Sequence, residues 1–356
     1  MLQAIFHAWE RHLASVTTDR VFRPFEWGLE WIPVNGTPRT GDPASVLADF
    51  VAHVMTDTDA FFTPPGTTAY TLGPAAEDGE RELTFPSALD TPHAENNTVH
   101  ARLFAPRAPA PGRQEASRGP AVLVLPQWNS KPNGHVGLCK LLAMNGLHTL
   151  RLSLPYHDRR MPPELQRADY IVSANVARTL QVCRQAVLDA RRAIAWLAAE
   201  GYGPIGILGS SLGSCLALLT TAHEPLIRAA ALNHISPFFA DVVWRGLSTA
   251  HVRAGFDGQI ELERLRELWK PISPAWYLER LRNRRTLLVY AKYDLTFPVD
   301  LSRDLIRMFS EQEVPHEVAV LRCGHYSSGK TPFKFIDGWI LTRFLKNALT
   351  PPREFS

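Results

Sequence analysis

Between Ile205 and Leu219 the chain runs from an apolar strand through a glycine-bracketed turn straight into a helix. The run Ile205-Gly206-Ile207-Leu208 leads into Gly209-Ser210-Ser211-Leu212-Gly213, and the helix-forming stretch Ser214 to Leu219 follows at once. No other stretch limits the possible folds as much. A strand that turns so sharply into a helix brings the two backbones together, where a Cβ two residues to either side of the turn would collide. The frame G-x-S-x-G fits Ser211 alone. Ser210 would need glycines in place of Leu208 and Leu212, and Ser214 in place of Leu212 and Leu216. A serine on such an elbow has strained backbone and holds its hydroxyl above the sheet edge. The plainer alternative is a tight turn built for packing, and the strand before and helix after argue against it.

The segments around the elbow alternate strand with helix. Short apolar runs at Ala121–Leu125, His148–Leu154, Ile205–Leu208, Ile227–Leu232, Thr286–Tyr290 and His316–Leu321 read as strands. Helical spacing is clearest at Gly137–Asn145, Ala174–Glu200, the stretch from Leu212 to Thr221, Ser302–Ser310 and Phe333–Asn347. Near-continuous apolar strands between helices predict a mostly parallel sheet covered on both faces. Arg81–Phe85 and Thr98–Phe104 add antiparallel candidates, and Ala105–Pro120 reads as a solvent loop.

The first residues differ in character. Leu2, Phe6, Trp9, Leu13 and Val16 form an amphipathic stripe, and a second helix is expected from Ser45 to Met55 behind Pro43. Residues 1–79 therefore read as a helical N-terminal extension docked on a main domain at 80–356. A membrane-surface helix would need lysines and arginines that its polar face lacks. A long insertion at about 236–285, carrying Phe238, Phe239, Trp244, Trp269, Trp276 and Tyr277, lies over the carboxyl edge of the sheet. Ligands of open α/β sheets bind there, which predicts a helical cap. Its alternative is a peripheral decoration with an aromatic core of its own.

Bulk properties exclude several classes. Of 356 residues, 45% are hydrophobic and 21% charged, with a net charge of +3, and no basic run is long enough to follow nucleic acid. No stretch approaches the ~20 apolar residues of a membrane span. Glu10, Arg11 and His12 stand where a secretion signal would be apolar, so a cytoplasmic location is expected. Cys139, Cys183, Cys215 and Cys323 lack paired spacing and read as buried free thiols. No metal-ligand spacing or dinucleotide fingerprint is present, so no metal and no cofactor is expected.

A serine hydroxyl needs a base, and the base needs an orienting acid. The strand Leu287–Tyr290 runs into a loop that holds Asp294, and the strand Val318–Leu321 into Arg322-Cys323-Gly324-His325. The order Ser211, Asp294, His325, each on a loop after a strand, matches a triad. Asp300 is the alternative acid in the same loop. Oxyanion donors are expected from the backbone N–H of Leu212 and, after the strand Ala121–Leu125, of Trp128, with Gln127 next to it. Gln127, His157 and Arg159 are candidate substrate contacts at the carboxyl edge. Arg159 and Arg160 equally suit salt bridges that brace their loop.

With these residues in view, the chain resembles the α/β-hydrolase superfamily from about Glu80 to Leu349, on Gly209–Gly213, Tyr293-Asp294 and Gly324-His325. The run Asp189 to Leu197 is similar to dienelactone-hydrolase-like and acetyl-xylan-esterase-like members. Leu154–His157 and Lys292–Asp294 look more like an abhydrolase branch for which no substrate carries over. The resemblance implies Ser211 as nucleophile, Asp294 as acid and His325 as base in a serine hydrolase that cleaves a small carboxylic ester through an acyl-enzyme. A thioesterase, peptidase or acyltransferase would use the same three residues, and a non-catalytic ligand- or protein-binding homologue is the rival outside enzymology. A serine at the elbow argues against epoxide hydrolases and haloalkane dehalogenases, which carry aspartate there. The oxyanion loop lacks a His-Gly-Gly-Gly run, and the N-terminal extension departs from the family pattern.

Overall fold

A computed structural model describes residues 1–32, 41–77, 79–106 and 118–350. Most of the loop expected at Ala105–Pro120 lies outside the described residues. The sheet has nine strands in the order β1-β2-β3-β5-β4-β6-β7-β8-β9. They are β1 Thr71–Ala75, β2 Arg81–Pro86, β3 Thr98–Phe104, β4 Gly119–Leu125, β5 His148–Leu152, β6 Tyr202–Ser210, β7 Ile227–Asn233, β8 Arg285–Ala291 and β9 Glu317–Leu321. From β5 through β9 every neighbouring pair is parallel, and β1, β2 and β3 join antiparallel at one edge.

The helices are α1 Leu2–Ser15, α2 Pro43–Thr56, α3 Thr58–Phe61, α4 Val136–Met144, α5 Val176–Ala199, α6 Leu212–His223, α7 Phe239–Arg245, α8 Ala250–Phe256, α9 Leu262–Leu268, α10 Val299–Glu311 and α11 Phe333–Leu349. Every residue of β4 is buried, and its side chains alternate between two cores. Ala121, Leu123 and Leu125 join Ile207 and Leu216 on one face, where α5 and α6 lie. Val122 and Val124 join Leu208, Leu142 and Leu341 on the other, with α4 and α11. Such two-sided burial is what the continuous apolar strands predict. Asn175 caps the long α5 by accepting from Arg178 N–H at 2.9 Å.

Strand order reverses around β4, since β5 pairs with one of its edges and β6 with the other. The crevice at their carboxyl ends is where such sheets bind ligands, and Ser211 sits there.

The sheet begins earlier than the expected boundary at residue 80. Thr71–Ala75 pairs with Arg81–Pro86 as an edge strand inside the supposed helical extension. Its sequence, Thr-Leu-Gly-Pro-Ala, carries glycine and proline, which weaken any strand pattern and survive only at an edge. The rest of the extension packs against the body. Phe62 is buried beside His223 of α6 and Tyr277, Phe25 makes an edge contact with Phe256 of α8, and Leu47, Val51 and Val54 of α2 are buried.

Candidate active site

Ser211 stands between β6 and α6 with φ 55° and ψ −120°. Positive φ is uncommon for a side chain with a Cβ and costs on the order of 1–3 kcal/mol. The glycines on either side have the anticipated cause. A Cβ on Gly209 would lie 2.0 Å from the Gly213 carbonyl oxygen, and one on Gly213 would lie 2.2 Å from that of Leu125. Strand, helix and the end of β4 thus meet at backbone distance. Ser211 N–H donates to the Asn233 carbonyl at 2.7 Å, tying the elbow to the end of β7. Leu212 opens α6, so its N–H has no acceptor within the helix and points from the positive end of the helix dipole.

Asp294 follows β8 and is buried. It accepts from the backbone N–H groups of Thr296 and Phe297 at 2.8 and 2.7 Å, both on Oδ1. Its Oδ2 lies 3.0 Å from Nδ1 of His325 and 3.0 Å from Nδ1 of a second histidine, His234. Burial opposes the charge, but the adjacent His325 and the hydrogen bonds from both histidines outweigh it and hold the carboxyl far below its usual range. An ionised carboxylate only accepts, so both Nδ1 atoms carry their protons. That fixes His325 in the tautomer whose Nε2 is free to take a proton. The imidazole also stacks on Phe297, 5.4 Å between ring centres and 8° from parallel. Asp300, the alternative acid, is exposed and paired with Arg245.

Among the described residues Ser211 Oγ makes no hydrogen bond to His325 within 3.5 Å. The two meet through their surroundings. Ser211 and Leu212 line a cavity, and so do Thr296 and Phe297 from the Asp294 loop. Hydroxyl-to-imidazole contacts often tighten only once substrate is bound.

The cavity wall is largely apolar. Trp128, Val172 and Cys215 come from the hydrolase body, and Phe238, Phe239, Val242, Val243, Thr249 and Pro274 come from the 236–285 insertion. The insertion therefore lines the cavity and also has its own core, in which Trp269 packs edge-on against Phe239 and Phe256. Trp276 is exposed.

The candidate oxyanion loop after β4 is tightly held. Trp128 Nε1 donates to the Ala168 carbonyl at 2.8 Å, and its ring is parallel to His251. Asn129 N–H donates to His157 Nε2 at 2.9 Å, while His157 Nδ1 donates to the Pro155 carbonyl at 2.9 Å. Both nitrogens of this buried histidine are used, and burial pushes its pKa down to about 4. His157 is thus corrected from a substrate contact to a brace of the loop that carries Trp128. Arg159 faces solvent and pairs with Glu82 at 2.7 Å. Gln127 does not line the cavity, and its carbonyl accepts from Ser130 N–H within the turn. Arg160 is fully buried against Asp189 at 2.8 Å, the bracing role.

The residue that sequence reasoning missed is His234. It lies at the end of β7, with φ 58°, and its carbonyl accepts from Ser214 Oγ at 2.8 Å. Burial opposes its charge, yet Asp294 more than compensates and raises its pKa. Its Nε2 is buried without a partner. The available signal was Asn233-His234 directly after an apolar strand, at the same edge as Ser211. His234, Asp294 and His325 also have ligand atoms within 4.8 Å of one another. The two imidazole-to-carboxylate hydrogen bonds account for that spacing. All four cysteines are buried and free, as expected. No helix among the described residues is long and apolar enough to cross a membrane.

Residues 136–251 match the family model described as "Alpha/beta hydrolase domain containing 18". No curated protein sequence matches the chain at a significant level. Solved structures do. Acetyl xylan esterase from Paenibacillus sp. R4 is similar with a TM-score of 0.59 at 15% identity, over 95% of this chain and 99% of that one. The Pyrobaculum calidifontis esterase has a TM-score of 0.52 at 18% identity, over 88% and 96%. The Pyrococcus horikoshii acylaminoacyl peptidase reaches 0.59 at 14% identity over 81% of this chain, which spans only 43% of that longer protein. At these identities the likeness is one of architecture: the chain has the α/β-hydrolase fold.

Proposed function

We propose that this protein is a serine hydrolase that cleaves a carboxylic ester through an acyl-enzyme, with Ser211 as nucleophile, His325 as base and Asp294 as its orienting acid. The observation that carries this reading is the bond between His325 Nδ1 and the ionised Asp294, with the strained Ser211 in a cavity wall that Phe297, stacked on His325, also lines. In the first step His325 Nε2 takes the Ser211 proton as Oγ attacks the acyl carbon, then returns it to the leaving alcohol. In the second step His325 takes a proton from water as it attacks the acyl carbon, then returns that proton to Ser211 Oγ as the Oγ–acyl bond breaks and the acid leaves. The N–H groups of Leu212 and Trp128 are assigned to the developing oxyanion. Each such donor contributes about 3–4 kcal/mol to transition-state stabilisation. The apolar wall around Ser211 favours an apolar acyl or alcohol group. Esterase and acetyl xylan esterase names among the structural neighbours agree with ester chemistry.

A fluorophosphonate probe tests the reading. It should label the wild type and fail to label Ser211→Ala of unchanged fold. A folded wild type that stays unlabelled and turns over no ester would refute it.

A further inference from the structure

Helix α1 reaches both loops that carry the acid and the base. Phe6 and Glu10 are one turn apart, so they share a face. The Phe6 ring stacks on Tyr293, the residue before Asp294, at 4.6 Å between centres and 11° from parallel. It also meets Phe333, at the start of α11, edge-on. Glu10 is fully buried, and its two carboxylate oxygens accept from the backbone N–H groups of Tyr326 at 2.8 Å and Ser327 at 2.9 Å. These are the two residues after His325. On its other side, a Cβ on Gly324 would lie 2.3 Å from Glu10 Cδ. No lysine or arginine pairs with this carboxylate among the described residues, so the two amides are its main compensation for leaving water.

The rest of the His325 loop closes on itself. Gly324 N–H donates to Ser327 Oγ and Ser328 Oγ donates to the His325 carbonyl. Tyr293 N–H donates to the Cys323 carbonyl at 2.9 Å, which couples the acid loop to the base loop. Two further amides of the base loop, those of Tyr326 and Ser327, both end on Glu10. Farther along the extension, Arg20 donates to Tyr326 Oη at 2.9 Å.

We infer that Glu10 is a positioning residue for His325: the N-terminal helix supplies the carboxylate that fixes the base loop, so the active site is completed by the extension rather than by the hydrolase body alone. The inference rests on the triad reading for its effect on turnover, but its structural content does not. Glu10 touches no reacting atom. It acts by holding the backbone on which the imidazole stands, and small misplacements of such groups cost about 10²-fold in rate.

The test compares wild type, Glu10→Ala, Glu10→Gln and Arg11→Ala, the last on the exposed side of the same helix. Two quantities are read. One is the fluorophosphonate labelling rate constant together with its stoichiometric endpoint. The other is the low-field proton resonance of the His325 Nδ1–H held on Asp294, assigned by its loss in His325→Ala. The expected result for Glu10→Ala is a rate constant at least ~10-fold lower with an unchanged endpoint, and a broadened or missing resonance. Glu10→Gln keeps one acceptor oxygen and should fall between Glu10→Ala and wild type, while Arg11→Ala should match wild type. A purely structural role would lower the endpoint, through loss of folded protein, and leave the rate constant of the remainder alone. That result in both Glu10 variants, or a resonance unchanged in both, overturns the inference. If the wild type never labels, the hydrolase reading falls, and the resonance alone still decides the role of Glu10.

Discussion

At the scale of single residues, the question is which of two imidazoles on Asp294 does the chemistry. Both donate to Oδ2 at 3.0 Å, but their free nitrogens differ. His325 is partly exposed and stacks on Phe297, a residue of the cavity wall. His234 Nε2 is buried and faces no partner, so it has no route to a substrate proton. His325→Ala should therefore lower kcat by about 10²–10⁴-fold, the usual worth of general acid–base help. His234→Phe should lose far less turnover and instead lower stability by about 1.5–3 kcal/mol, the worth of a hydrogen bond to a charged group. Ester turnover at saturating substrate and urea unfolding at pH 8 separate the two. The placement of Ser211, Asp294 and His325 at the carboxyl edge was legible because each follows an apolar strand. His234 was not, because its importance depends on how far β7 and β8 extend side by side. Nor was the bracing role of His157, whose candidacy came from its loop and whose contact is with the backbone amide of Asn129.

At the scale of elements, the insertion from 236 to 285 lines the cavity that Ser211 also lines. Phe238, Phe239, Val242 and Val243 belong to it and form one wall of the cavity. One methylene accepted or refused in an apolar pocket is worth about 1–3 kcal/mol. Val242→Phe should accordingly lower kcat/KM for a long-chain acyl ester by at least ~10-fold and leave an acetyl ester nearly unchanged. A parallel loss on both esters would show that Val242 does not border the acyl group. Most elements could be read from sequence within a few residues, since burial on both faces leaves a strong apolar signature. The edge strand β1 escaped because Gly73 and Pro74 break that signature. Glu10 entered the sequence reading only as a charge that interrupts an apolar run, although it stands one turn beyond Phe6 on the apolar stripe, where an unpaired acid should be costly.

At the scale of the whole molecule, buried histidines link stability to acidity. Burial pushes the pKa values of His135, His157 and His223 down to about 4. Unfolded, each returns to about 6.5. Between those values the unfolded chain binds more protons, so these groups contribute stability above about 6.5 that is lost as pH falls toward 4. His234, whose pKa is raised, acts in the opposite sense: its contribution is present below about 6.5 and fades as pH rises through its folded value. Asp169 and Asp337, which burial pushes up, also favour the folded state at the acid end. Replacing one histidine isolates its share. His157→Gln should flatten the dependence of the urea midpoint on pH between 6.5 and 4 relative to wild type. An identical slope would mean that His157 titrates normally in the fold.

The grip of α1 on the His325 loop also orders events in time. Glu10 is made before its hydrogen-bond partners, which are separated from it by 316 and 317 positions. A contact that distant forms slowly and late. The nascent polypeptide can assemble most of its sheet while the final turn around residue 325 still lacks its anchor. The loop that carries His325 is thereby fixed only after every residue from Glu10 to Ser327 has been made.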